Sequence, residues 1–208
     1  MAVTDPPVPV APTRIEQPAL DAGLFDPLLL NGVEPVDNLV PGVAFHPAIA
    51  RWFTHRFEHG PTPPQVEGWP HIAAGRNTLI AAPTGSGKTL AGFLMCINRI
   101  YLDHARGLDT AGTRVVYVSP LKALAVDIAE NLERPLAEIA ETANAMGLSA
   151  PAITLGVRTG DTPPSERQAM IRKPRTFLVT TPESLYLLVT AAKSREVLRS
   201  VETVIVDE

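Results

Sequence analysis

The stretch "LIAAPTGSGKTLAG", Leu79 to Gly92, limits what this chain can fold into more than any other segment. Its apolar start reads as a strand, Gly85 and Gly87 permit a sharp corner, and the residues after Lys88 carry helical spacing. A strand that turns through glycines into a helix aims several backbone N–H groups at one point, and that geometry binds phosphate. "APTGSGKT" fits the loop pattern G-x-x-x-x-G-K-[ST], with Ala82 standing where the first glycine is usual. Ala82, Thr84, Gly85, Ser86, Gly87, Lys88 and Thr89 are therefore the candidate ligands of a nucleoside triphosphate. Lys88 is expected to bridge the β- and γ-phosphates, and the Thr89 hydroxyl to ligate Mg2+. A glycine-rich turn that merely precedes a helix is the alternative, and the flanking strand and helix patterns weigh against it.

From Thr78 onward, short β-type runs alternate with helical ones. The runs "TLIAA" (78–82), "RVVYVS" (114–119), "AITLGV" (152–157), "TFLVTT" (176–181) and "VETVIVD" (201–207) read as strands. Helices are expected at about 88–104, 122–146, 163–172, 182–192 and 194–200, with Pro135 breaking or restarting the second. Apolar strands separated by helices imply an α/β fold with a parallel sheet covered by helices on both faces. In such sheets ligands sit beyond the carboxyl ends of the strands. Ahead of this region, "HPAIARWFTHRFEHG" spaces Ile49, Trp52, Phe53 and Phe57 as one helix face. Core packing is the favoured reading of these aromatics and of Trp69, with stacking on a base as the alternative.

Composition closes off other classes. The 208 residues are 45% hydrophobic and 19% charged, the balance of a globular chain with its own core. No apolar run approaches membrane-spanning length, and "MAVTDPPVPVAPTR" lacks the basic start and apolar block of a secretory signal. A cytoplasmic protein without a membrane partner is the expectation. The lone Cys96 sits in an apolar helical stretch and reads as a small buried hydrophobe. Residues 1–41 hold one base (Arg14) against six acids, together with eight of the 21 prolines. They read as a disordered extension to a domain at 42–208. The remainder holds 17 bases and 16 acids, so bulk charge does not advertise nucleic acid.

Two further segments complete a nucleotide site. "VIVDE" at 204–208 delivers two carboxylates to a strand's carboxyl end. Asp207 is the candidate Mg2+ ligand, and Glu208 the group that orients or deprotonates the attacking water. Lys88 and Glu208 are thus the catalytic candidates. In "PTPPQ" (61–65), the Gln65 amide can donate to and accept from one edge of adenine, which points to ATP. A proline-rich turn with an exposed glutamine is the alternative there.

In this order, "PTPPQ", "APTGSGKT", "SPLKALA" (119–125), "TGD" (159–161), "TTPES" (180–184) and "VDE" resemble the motifs of superfamily 2 helicases. Residues 45–208, and "YVSPLKALAVDIAENLERPL" and "TTPESLYLLVT" above all, are similar to the large helicase-related (Lhr) family. The resemblance implies a RecA-like P-loop NTPase domain, incomplete at its carboxyl end, which belongs to an ATP-dependent helicase or translocase. It also implies single-stranded nucleic acid as partner, with DNA favoured and RNA–DNA hybrids as a second substrate, movement 3′ to 5′ and a role in genome maintenance. Ser119, Lys122, Gly160, Asp161 and Thr181 are the nucleic-acid candidates it implies, although capping alone also explains Thr181. These contacts would address phosphate and sugar rather than sequence. A second RecA-like domain with its arginine finger is the remaining partner expected. The chain reads as an N-terminal fragment that alone is nearly inactive. The rival expectations are a P-loop kinase of another class and a non-catalytic truncation that binds nucleotide or nucleic acid.

Overall fold

The structure, a computed structural model, describes residues 32–36 and 38–207. Four short strands, β1 (Val115–Val118), β2 (Leu155–Arg158), β3 (Phe177–Thr180) and β4 (Thr203–Val206), form one sheet in the order β2-β3-β1-β4. All three pairings are parallel, with Val116 opposite Leu178 on one side and Val204 on the other. The central strands β1 and β3 are buried along their whole length, whereas β2 and β4 at the edges alternate. Side-chain alternation divides the core into two. Val115, Tyr117, Phe177 and Val179 face one side, while Val116, Val118 and Leu178 pack with Leu188 on the other. Both faces are therefore covered, as an apolar parallel sheet requires.

The expected helices form with small shifts: α1 (Pro47–Arg56), α3 (Lys88–Ala105), α4 (Lys122–Ala145), α5 (Pro164–Arg172), α6 (Pro182–Thr190) and α7 (Ala192–Arg195), the last followed by a 3₁₀ turn at Glu196–Leu198. A further helix, α2 (Pro63–Ala73), takes in Gln65, where a proline-rich turn was the alternative reading. Its signal was present in the sequence. Thr62 and Gln65 stand at the spacing of a capping box, with prolines in the first turn, where their missing N–H groups cost nothing.

Pro135 does not break α4, which runs unbroken around it. Tertiary contacts offset the lost hydrogen bond. Ala125, Ala129, Leu132, Ile139 and Ala143 are buried along one face. On another, Glu138 accepts from Trp52 Nε1 at 2.9 Å and from Arg134 Nε at 2.7 Å, which fixes α1 against the turn after the proline. The aromatic cluster is core, as favoured: Trp52, Phe53 and Trp69 are all buried, and Phe53 and Trp69 meet edge to face at 5.4 Å. Cys96 is buried too, and burial pushes its thiol up to about 12.

Packing starts earlier than the boundary expected at residue 41. Val36 and Phe45 exchange backbone hydrogen bonds at 2.8 and 2.7 Å, and Val40, Val43 and Phe45 are buried. Phe45 meets Trp69 edge to face at 5.2 Å and, with Val40 and Val43, joins the core that α1 and α3 share. This segment is also tied to α3 through polar groups. Asn98, buried in α3, accepts from the His46 N–H at 2.7 Å and donates to the Ala44 carbonyl at 2.9 Å. His46 Nδ1 accepts from the Ala48 N–H at 3.3 Å and so caps α1 in its neutral form.

Burial, with a smaller contribution from His104, lowers the His46 imidazole to about 4. In the unfolded chain this histidine takes its proton near pH 6.5, and in the folded chain it refuses until about 4. Its contribution is therefore complete above pH 6.5 and lost as the pH falls through that window, up to about 3 kcal/mol. Thermal unfolding should show this acid destabilisation, and His46→Asn, which keeps a capping acceptor, should show less of it.

Candidate nucleotide and nucleic-acid site

Residues 78–82, expected as the first strand, do not join the sheet. They run without a strand partner among the described residues, and Leu79 is 93% exposed. A strand is a pairing, and an apolar run creates none without a neighbouring edge. The corner that follows does form. Gly85 and Gly87 have φ of 80° and 84°, in the left-handed region that glycine alone adopts at little cost, and Gly87 caps α3. Lys88 is folded back on the loop: its Nζ donates to the Ala82 carbonyl and, at 3.1 Å, to that of Pro83. The Ser86 hydroxyl is buried with no hydrogen-bond partner. Thr84 and Thr89 are exposed.

Helix α2 grips this corner from the side. Gln65 is buried, not exposed, and both ends of its amide are engaged. Its Oε1 accepts from the Thr62 N–H at 2.9 Å, and Nε2 donates to the Gly87 carbonyl at 3.4 Å. One turn on, Trp69 Nε1 donates to the Ala91 carbonyl at 3.1 Å. Two α2 side chains four residues apart thus hold the carbonyls of Gly87 and Ala91, the N-cap and first turn of α3. Trp69 was not singled out as a site residue, because nothing in its sequence context separates this role from core packing.

The placement of Asp207 follows from how α3 lies on β4. A Cβ on Gly92 would sit 3.3 Å from Ile205 Cδ1, Cys96 lies beside the Thr203 side chain, and Arg99 Nε lies 3.4 Å from Glu202. As the α3 numbers rise, the β4 numbers fall, so the two run antiparallel. Lys88 lies one turn before Gly92, about 6 Å along the helix. Asp207 lies two residues past Ile205, about 7 Å along the strand in the same direction. Residues 203, 205 and 207 share a face, so the Asp207 carboxylate is on the α3 side, where it accepts a hydrogen bond from the Tyr117 hydroxyl. The phosphate-type loop and Asp207 therefore occupy the same end and the same face of the sheet. Glu208 lies outside the described residues.

The other candidates line the carboxyl ends of the remaining strands. In sheet order these are Gly160 and Asp161 after β2, Thr181 after β3, and Ser119 with Lys122 after β1. Lys122, Gly160 and Asp161 are exposed, and Lys122 Nζ meets Asp161 Oδ1 at 2.7 Å. Ser119 and Thr181 are buried instead. The Ser119 hydroxyl donates to the Leu121 carbonyl at 3.3 Å, and Thr181 Oγ1, at the N-cap of α6, donates to Ser184 Oγ at 3.3 Å. Thr162 does not cap α5, whose N-cap is Pro163, but braces the loop by accepting from the Thr159 N–H at 2.9 Å. A cleft of about 420 Å³ between Tyr101, α4 and the approach to β2 contains none of these residues. Among the described residues, no helix is long and apolar enough to cross a membrane.

Residues 62–208 match the family model of the DEAD/DEAH box helicases. The chain belongs to that family. It is 53% identical over 178 residues to the Lhr helicase/probable uracil glycosylase of Mycolicibacterium smegmatis and 43% identical over 175 residues to the Lhr helicase/uracil glycosylase of Escherichia coli. These matches cover 86% and 82% of this chain and 11% of each relative, so the chain spans about a tenth of their length. A solved structure of the Mycobacterium smegmatis helicase Lhr bound to ssDNA and AMP-PNP superposes with a TM-score of 0.72 at 55% identity, covering 79% of this chain and 20% of that one. The helicase MrfA bound to DNA and AMPPNP shares the fold, with a TM-score of 0.64 at 22% identity over 85% of this chain and 22% of that one.

Gly87→Ala would place a methyl group 2.8 Å from Gln65 Nε2 at a φ of 84°. The strain of such a position is about 1–3 kcal/mol. The substitution should lower the midpoint of thermal unfolding and weaken binding of a fluorescent ATP analogue by about tenfold or more, measured by titration.

Proposed function

We propose that the intact protein is an ATP-dependent helicase that moves 3′ to 5′ along single-stranded nucleic acid, DNA above all, with RNA–DNA hybrids as a second substrate, and that this chain forms most of the first of two RecA-like domains. The observation that carries the reading is the antiparallel packing of α3 on β4, which brings the Lys88 corner and Asp207 to one end of the sheet. Gly85, Ser86, Gly87 and Lys88 supply N–H donors to the phosphates of ATP. Lys88 leaves the Ala82 and Pro83 carbonyls for the β- and γ-oxygens, a favourable exchange because the new partners are charged.

The donors suit Mg2+, which favours oxygen ligands and takes one or two carboxylates together with substrate phosphates. The Thr89 hydroxyl and the Asp207 carboxylate would hold it, with Tyr117 orienting Asp207. Bound there, the ion neutralises charge on the phosphates. Glu208, the next residue, orients the attacking water and receives its proton. Gln65 would read adenine from α2 by releasing the Thr62 N–H and the Gly87 carbonyl, so base and phosphate recognition meet at Gly87. Closure of the second domain adds an arginine finger, a contribution of roughly 10³–10⁵ in rate. Cycles of closure and opening move the strand across Lys122 and the loops after β2 and β3.

In the intact protein, Lys88→Ala should abolish ATP binding. Glu208→Gln should retain ATP affinity while slowing turnover by about 10²–10⁴-fold, the usual contribution of a positioned base. ATPase assays with and without single-stranded DNA, RNA and hybrids test both the chemistry and the partner. A rate that does not respond to any nucleic acid overturns the helicase reading, and near-normal turnover by Glu208→Gln removes Glu208 from its role.

A further inference from the structure

The loop after β2 is held from beneath by a residue outside all the motifs. Arg167, on α5, donates from Nε to the Thr162 carbonyl at 2.7 Å and from Nη2 to the Gly160 and Thr159 carbonyls at 2.6 and 3.4 Å. With Thr162 Oγ1 accepting from the Thr159 N–H and Thr159 Oγ1 from the Asp161 N–H, four successive residues are fixed by side chains. Asp161 stands exposed on this rigid loop, and its carboxylate accepts from Lys122 Nζ at 2.7 Å. Lys122 opens α4 after β1, and β1 and β2 are not neighbours, because β3 lies between them. Two strand spacings make about 10 Å. The Lys122 side chain therefore reaches across the carboxyl end of β3, where Thr181 starts α6. It also lies over Gly160, where a Cβ would sit 3.3 Å from Lys122 Cε.

We propose that Asp161 is a counter-ion for Lys122 and not a ligand of nucleic acid. The pair forms a bar across the groove between the loops after β1 and β2, and a backbone phosphate reaches Lys122 only by displacing the Asp161 carboxylate. The inference rests on the reading of Lys122 as a phosphate ligand. Two anions on one ammonium repel each other, so Asp161 weakens each grip and speeds each release. An exposed pair of this kind is weak enough to be displaced, and it lowers affinity by about two- to fivefold. A motor that must hold and let go at every step gains from that setting.

The test is equilibrium binding of fluorescein-labelled oligo-dT to the intact protein across a salt series, with circular dichroism to confirm folding. Lys122→Ala should weaken binding. Asp161→Asn should tighten it by about two- to fivefold and steepen the slope of log affinity against log salt by at most about 0.7, the value of one unit charge on a single strand, because one opposing charge leaves the site. In a Lys122→Ala background, Asp161→Asn should change nothing, because its effect passes through the lysine. Weaker or unchanged binding by Asp161→Asn overturns the proposal, as does tightening that persists without Lys122. If Lys122→Ala alone binds normally, the phosphate-ligand reading of Lys122 has failed, and the proposal fails with it.

Discussion

Helix α3 lies along β4 in the opposite direction, and the placement of every nucleotide-facing group depends on that contact. The helix is apolar on nearly all sides, so it can be buried beneath α2 and the segment before α1 while resting on the sheet. Phe93 stacks on Tyr117 at 4.8 Å, and Tyr117 in turn holds Asp207. One aromatic pair thus connects the helix that begins at the phosphate-type loop to the carboxylate at the end of β4. The small residue Gly92 lets the first turns of α3 approach Ile205 closely, and a Cβ there would press on it. At the far end, Arg99 and Arg114 meet Glu202, and Arg114 also meets buried Asp103 at 2.9 Å. Burying such a network costs desolvation, so its value lies in fixing the register of α3 against the sheet rather than in raw stability.

Three side chains that would meet ATP or nucleic acid, Lys88, Gln65 and Lys122, already have partners within the protein. Lys88 rests on two carbonyls of its own loop, Gln65 spans Thr62 and Gly87, and Lys122 rests on Asp161. The partners of Lys88 are neutral carbonyls, and these are weaker acceptors for its ammonium than a charged phosphate. For Lys88, phosphate binding would exchange neutral partners for charged ones.

Much of this was legible in the sequence, for physical reasons. Helical periodicity located α3, α4 and α6 within about two residues, because burial of one face imposes it. The glycine corner was legible because only glycine adopts φ near 80° freely. Residues 78–82 misled, since their apolar run looks like a strand while pairing depends on a neighbour that local sequence does not reveal. Pro135 misled in the opposite sense, because packing against α1 holds α4 together through it. The site was less legible than the fold. Ser119 and Thr181 are the residue types that contact phosphate, yet burial turns them to the scaffold. Trp69 and Arg167 act on carbonyls far from them in sequence, and no spacing rule connects them.

Burial of Cys96 has a practical consequence. Its thiol stays protonated at neutral pH and is shielded by α3 and β4, so alkylating reagents and mild oxidants should pass it by. A cysteine introduced on the exposed rim of this domain would then be its single reactive handle, and a dye or spin label could follow motions of the loops with the native sulfur left in place.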